Sequence, residues 1–338
     1  MCSKDAQSRY FGADFLSAHR KRHGRRPPQE RPTTYDIAVE EEYSGWRQWL
    51  DEQLAQLPSD MASELAHKIW GEDHFWPVIF ELAAGAELRQ QRRQIAYEQE
   101  WDGLTPDWTV VSDDGSPAAF VEVHTDSPPQ DVYRRMRGWY GLVARIRQIP
   151  VPVLVTLPDI AGLAKPPDAR TAKRIAQDLR QRLSPFSQGL LFSHGYTFAV
   201  RDKPLATVSG GRLHAEFVPP SSLAGVVTAE RLVQRIEEKV RRYEKLATTY
   251  DVPLVIAVGA HKFSGLELKH LDSLLAGAMT TTFQFSAGDT FVGSKEINLG
   301  HPPRWFMPRA LSAVMWIDNV FPFRATMRPN DRSDGVVG

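Results

Sequence analysis

Apolar residues at Phe75, Ile79, Leu82, Ala83 and Ala86 recur at the three-and-four spacing of a helix with one buried face. Asp73 ahead of them is a candidate N-cap, so a helix is expected over 73–93. Residues 94–101 (QIAYEQEW) alternate apolar and polar instead, as a half-buried strand does. Segments 106–111 and 118–125 read as two more strands, and the SDDGSP between them is turn chemistry, which predicts an antiparallel hairpin. Helical spacing returns over 130–149 through Val132, Met136, Tyr140, Val143 and Ile146. VPVLVTL at 151–157 is then a continuous apolar run next to proline, the pattern of a strand covered on both faces. The expected order over 73–157 is α-β-β-β-α-β.

Flanking segments extend this unit. Ala38, Tyr43, Trp46, Leu50 and Leu54 predict a helix over 37–57, and PSD at 58–60 separates it from another at 61–70. These make an N-terminal helical segment, 37–72. After the core at 73–160 come a basic amphipathic helix at 168–183 and short strands at 197–201, 205–208 and 213–218. A long charged helix at 228–248 directs Leu232, Ile236, Val240 and Tyr243 inward. An apolar strand at 253–259, a helix at 266–275 and a strand at 311–320 complete the pattern. With no repeat and no linker after residue 70, 161–330 reads as an α/β extension packed on the core. The fold class is α/β, with an α+β-like mixed sheet.

Composition changes the picture in few places. The 338 residues are 42% hydrophobic and 24% charged, ordinary for a globular protein with ample core. Lys+Arg and Asp+Glu both number 41, so net charge alone names no polyanionic partner. A single cysteine, Cys2, excludes an internal disulfide framework and a cysteine zinc site. The amino terminus lacks the apolar core of a secretory signal, and no apolar run approaches the roughly 20 residues of a spanning helix. A cytoplasmic protein without membrane contact is expected. Residues 19–32 hold six Lys/Arg, one Glu and no apolar residue but proline, so 1–36 is expected to be a flexible basic arm, solvated or phosphate-binding.

The chemistry centres on Asp107 and Glu122, one near an end of each hairpin strand. Carboxylates side by side raise each other's pKa unless a cation neutralises them. Mg²⁺ is typically held by one or two such groups with waters and phosphate oxygens. Each could equally be a strand-end acid facing solvent or an arginine. On the 130–149 helix, Arg134, Arg135, Arg137, Arg145 and Arg147 stand against Asp131 alone. That suits a phosphate-facing surface or a solvated outer face. No serine nucleophile elbow and no Walker glycine loop is present.

Pro106-Asp107, a hairpin-length gap and Glu122-Val123-His124 together resemble the PD-(D/E)XK phosphodiesterase superfamily, the restriction-endonuclease-like proteins, over residues 74–157. The wider pattern is similar to uncharacterised bacterial proteins built around that core. The resemblance implies an αβββαβ core and Mg²⁺- or Mn²⁺-dependent hydrolysis of nucleic acid, DNA first. Asp107, Glu122 and the Val123 carbonyl would be the metal ligands. Glu81 is the match for the helix acid, with Glu87 as fallback, and a homodimer or larger complex is compatible. The departure is His124, where the family has lysine. Histidine would act as the base there, or the cationic role would pass to Arg134, Arg135, Lys239 or Lys245. Lys239 is grouped with Arg134, Arg135 and Arg137 as a nucleic-acid contact. The alternative is a catalytically inactive nucleic-acid-binding or protein-interaction module on the same fold.

Overall fold

The computed structural model describes residues 8–25, 33–127, 130–157, 165–183, 189–202, 214–218, 229–261, 264, 266–277, 279–285, 291–298 and 302–333; of 72, 130–137, 218, 229, 279–285 and 291–298 the backbone alone is described. In chain order the elements are α1 (Ala13–His23), α2 (Thr33–Val39), α3 (Ser44–Leu54), α4 (Ser59–Ile69), α5 (Glu72–Gln90), β1 (Gln94–Tyr97), β2 (Trp108–Val111) and β3 (Pro117–Asp126). There follow α6 (Gln130–Ile146), β4 (Val153–Thr156), α7 (Ala169–Arg182), β5 (Gly189–Ser193), β6 (Tyr196–Asp202) and β7 (Glu216–Val218). The last are α8 (Ala229–Tyr250), β8 (Leu254–Ala260), α9 (Leu268–Ala276), β9 (Met279–Phe285), β10 (Phe291–Asn298), β11 (Ala313–Ile317) and β12 (Ala325–Pro329).

The chain forms two compact units. The first joins residues 1–12, 40–127 and 227–338. Its mixed sheet has the order β1-β2-β3-β8-β11-β12. The expected hairpin is present: β2 pairs antiparallel with β3, Trp108 opposite Val121. β3 then runs parallel to β8, and β8 to β11.

Alternation along the strands sorts the two faces of this sheet. Phe120, Leu254, Ile256, Val258, Val314 and Trp316 pack against Leu232, Ile236, Val240 and Tyr243 of α8 and Leu271 and Leu274 of α9. The opposite face receives α5, where Gly259 lets Phe80 sit directly on the strand; a Cβ there would lie 2.1 Å from the ring. Covered on both faces, every residue of β8 and β11 is buried.

The second unit joins residues 13–39 and 128–226. Its sheet has the order β5-β6-β4-β7. Trp139, Leu142 and Ile146 of α6 and Ala172, Ile175 and Leu179 of α7 close its core against Val153, Val155, Phe198, Val200 and Phe217. Asp168 caps α7 by accepting from the Thr171 amide at 2.7 Å.

The expected organisation is corrected in three places. The 130–149 helix and 151–157 strand form, but in the second unit; the elements that complete β1-β2-β3 are α8 and β8, after an insertion spanning 128–226. The supposed extension at 161–330 is therefore divided, and residues beyond 227 supply half of the first unit's sheet. The arm expected over 1–36 contains two helices. Phe15, His19 and His23, four apart, are buried on α1, with Phe15 stacked on His19 at 3.9 Å and His23 edge-on to Tyr35 at 6.4 Å. Histidines that add to a basic tally pack here as aromatic rings. Residues 26–32 and the strand expected at 205–208 lie outside the described residues. No described helix is long and apolar enough to cross a membrane.

Candidate active site

Four elements of the first unit bring acids to one end of the β2–β3 pair. α5 is anchored there by Trp108, whose indole N–H donates to the Glu81 carbonyl at 2.8 Å. Gly85 makes the room, since a Cβ at that position would lie 2.3 Å from the Trp108 ring. The anchored helix directs the Glu81 carboxylate toward β1, where the Tyr97 hydroxyl donates to it at 2.9 Å. Burial above all, with the charges of Glu98 and Glu122 behind it, pushes the Glu81 carboxyl up to about 6.

Asp107 precedes β2 where that strand's ladder with β3 ends at Trp108–Val121. The freed Val123 amide donates to the Asp107 carboxylate at 2.6 Å. Because the Phe120 amide bonds toward β8, the odd-numbered residues of β3 turn their backbone groups toward β2. The Val123 carbonyl therefore shares the side of the strand that carries Asp107. Burial and then the carboxylates of Glu122 and Glu81 push Asp107 up to about 8, against the Val123 amide and Lys239. Burial beside two other carboxylates thus favours the protonated form of this group.

On the α8 face of β3, Glu122, His124 and Asp126 alternate with Val123 and Thr125. Opposite stand Lys239, Arg235 and Arg231, one helical turn apart. Four residues of helix rise about 6 Å and two of strand about 6.6 Å, so an antiparallel helix and strand stay in step. Lys239 Nζ lies 2.6 Å from Glu122 Oε1 and Arg231 Nη2 lies 2.6 Å from Asp126 Oδ1. Arg235 bonds Glu238 and adds its charge beside His124. Glu122 is 4% exposed and Lys239 27%, so the lysine head bridges from the buried acid toward solvent. Tyr243, the next inward residue, donates to the Thr105 carbonyl at 3.1 Å.

His124 stands where the resembled motif has lysine. Burial first, then Lys239, Arg235 and Arg231, hold its pKa down at about 4, so the imidazole is neutral at pH 7 and a weak base. Nε2 has no hydrogen-bond partner among the described residues. Cationic charge beside Glu122 comes from Lys239, one of the four residues to which the cationic role was expected to pass.

The remaining expectations separate from this cluster. Glu87 accepts from Gln91 on its own helix. Lys245 is exposed. Arg134, Arg135 and Arg137 are on α6 of the second unit, and their side chains lie outside the described residues. Residues not anticipated are Tyr97, Glu98, Tyr243 and Lys68, whose ammonium pairs with Glu64 and feels the charges of Glu98 and Glu81. Their signal was weak, because the sequence places no ligand-like spacing around them. The α8 cations were more accessible: Arg231, Arg235 and Lys239 recur every four residues beside the apolar stripe, and Glu122, His124 and Asp126 every two.

Among the described residues, no three His, Cys, Asp or Glu side chains converge as a ready-made cation cage. No family model, curated protein or solved structure matches the chain.

Proposed function

We propose that this acidic notch is the hydrolytic centre of a metal-dependent nuclease of the PD-(D/E)XK type, cutting phosphodiester bonds of DNA. The observation that carries the reading is the 2.6 Å bridge from Lys239 to Glu122, which sets a lysine beside paired acids although the motif position holds His124. The element order supports it too, since α5-β1-β2-β3 is followed, after the insertion, by α8-β8 with β3 and β8 parallel. The restriction-endonuclease-like core is thus read across the insertion, not along 74–157.

The donors fit a hard divalent cation. Asp107, Glu122 and the Val123 carbonyl offer oxygen only, and Asp107 pushed up to about 8 marks negative charge that Lys239 alone does not offset. Mg²⁺ or Mn²⁺ bound there would polarise a phosphodiester and lower the pKa of a water. Lys239, fixed by Glu122, orients its remaining N–H donors toward a phosphate oxygen at the open end of the bridge. Glu81, held by Tyr97, is available to accept a proton or to brace ligand waters. Neutral His124 occupies space beside Lys239 without competing for the negative charge.

A second reading follows from the same bridge: with Lys239 already on Glu122 and Asp107 protonated, the cluster would be structural, in a catalytically inactive nucleic-acid-binding module. Purified protein incubated with plasmid and single-stranded DNA in Mg²⁺, Mn²⁺ or EDTA separates the two. The nuclease reading expects cleavage with either metal and its loss in Asp107→Ala, Glu122→Ala and the paired Lys239→Gln/Glu122→Gln variant, each checked for a native circular dichroism spectrum. No cleavage with either metal, or cleavage undiminished in those variants, rejects it.

A further inference from the structure

We propose that the outer face of α7, in the inserted second unit, is a docking surface for the phosphate backbone of duplex nucleic acid. The inference rests on the nucleic-acid part of the reading above and not on the metal chemistry. On α7, Ala172, Ile175 and Leu179 are buried in the unit's core. The side opposite is a single stripe of exposed Arg170, Lys173, Arg174, Gln177 and Gln181, spaced i, i+3, i+4, i+7 and i+11. The helix carries five Lys/Arg (Arg170, Lys173, Arg174, Arg180 and Arg182) against Asp178 alone.

These cations divide into two groups. Arg180 donates to the Gln148 carbonyl, and Arg182 to the Phe192 carbonyl while facing Asp178, so both are engaged within the unit. Arg170, Lys173 and Arg174 form no side-chain hydrogen bond or close ion pair among the described residues, although the charge of Arg170 is felt by Asp168, and their Cα atoms span about 6 Å of helix axis. Asp168, just ahead of the helix, accepts the capping bond from Thr171, which ties its carboxylate to the backbone. Three exposed cations, two of them without a charged partner among the described residues, and two amide side chains in one line suit a row of anionic phosphates, with the glutamines able to bond phosphate or sugar oxygens.

Charge alone would also suit an anionic membrane. Amphipathic helices bind membranes by burying an apolar face among the acyl chains, and the apolar face of α7 is already buried in its own core. What remains is polar contact with a rigid polyanion, which favours nucleic acid.

Three phosphate contacts predict a log–log salt slope of about −2.7, an affinity loss of about 40-fold between roughly 50 and 200 mM salt from these residues. The test is fluorescence anisotropy of a short labelled DNA duplex with the full-length protein in EDTA, where cleavage is not in play. An Arg170→Gln/Lys173→Gln/Arg174→Gln variant alters only the solvent face. It should bind at least tenfold more weakly at about 50 mM salt, with a slope shallower by about 2.7. Equal affinity and slope in variant and wild type would overturn the proposal. So would binding to phosphatidylserine vesicles without binding to duplex DNA. Metal-dependent cleavage by a variant that binds like wild type would remove this surface and leave the nuclease reading standing; α7-dependent binding without cleavage would do the reverse.

Discussion

Replacing Asp107 by asparagine should make the protein more stable while abolishing its proposed activity. The carboxyl is buried beside Glu122 and Glu81, and its pKa is pushed up to about 8 from an ordinary value near 4. At pH 7 the unfolded chain ionises this group and the folded chain largely does not. At about 1.4 kcal/mol per pH unit, the native state forfeits at most about 4 kcal/mol. Asparagine keeps the oxygen that accepts the Val123 amide and removes the charge, so a gain of about 2–4 kcal/mol is expected. For a unit of this size that is about 5–10 °C in Tm. The sign follows from linkage: the folded value is raised, so the penalty is full above about pH 8, shrinks as pH falls and is absent below the free value near 4. Thermal melts by circular dichroism at pH 7 and pH 4 should show the Asn variant ahead at pH 7 and level at pH 4. Mn²⁺ should raise the wild-type Tm and have little effect on the variant. An Asn variant less stable than wild type at pH 7 would refute the reasoning, since Asp107 would then be a structural acceptor with no stored repulsion.

Three further outcomes follow. His124→Gln should cut DNA within a few-fold of wild type. Because the free imidazole protonates near 6.5 and the folded one at about 4, the native state loses up to about 3 kcal/mol as pH falls between those values, a loss that His124→Gln should relieve in pH-dependent melts. His124→Lys, although it would complete the motif that the sequence resembles, should lower Tm without raising cleavage, because it adds a cation beside Lys239, Arg235 and Arg231. Gly85→Ala normally favours a helix by about 1 kcal/mol, but here the added methyl meets the Trp108 ring at 2.3 Å, so urea titration should show a net loss of about 1–3 kcal/mol.

Local physics was legible and long-range pairing was not. The spacing around Phe75–Ala86, the SDDGSP turn and the apolar runs located α5, the β2–β3 hairpin and β8, because each is decided by neighbours a few residues away. VPVLVTL and PLVIAVG are equally apolar, and nothing within either says which sheet it enters. Chain proximity favours the nearer one as the next strand after the hairpin, yet the farther one pairs with β3. The same long range keeps sequence alone from choosing Lys239 among the candidate cations, since 117 residues separate it from Glu122 and only the pairing of β3 with β8 brings α8 over the acids. His19 and His23 failed for another reason: a histidine-containing basic run reads as solvated unless its aromatic spacing of four is weighed against its charge.

The insertion between β3 and α8 also sets an order on biosynthesis. At about 5–20 residues per second, a ribosome that has added Glu122 needs roughly 6–23 s more to reach Lys239, 117 residues later. In that interval the whole 128–226 segment, with a hydrophobic core of its own, is made. The nascent chain then holds Asp107 and Glu122 without the lysine that pairs with Glu122 or the β8 strand that flanks β3. Repulsion between the acids has no counterion during this time, so the notch closes only when α8 and β8 emerge. The cluster of Asp107, Glu122 and Lys239 therefore assembles only after the inserted unit has been made.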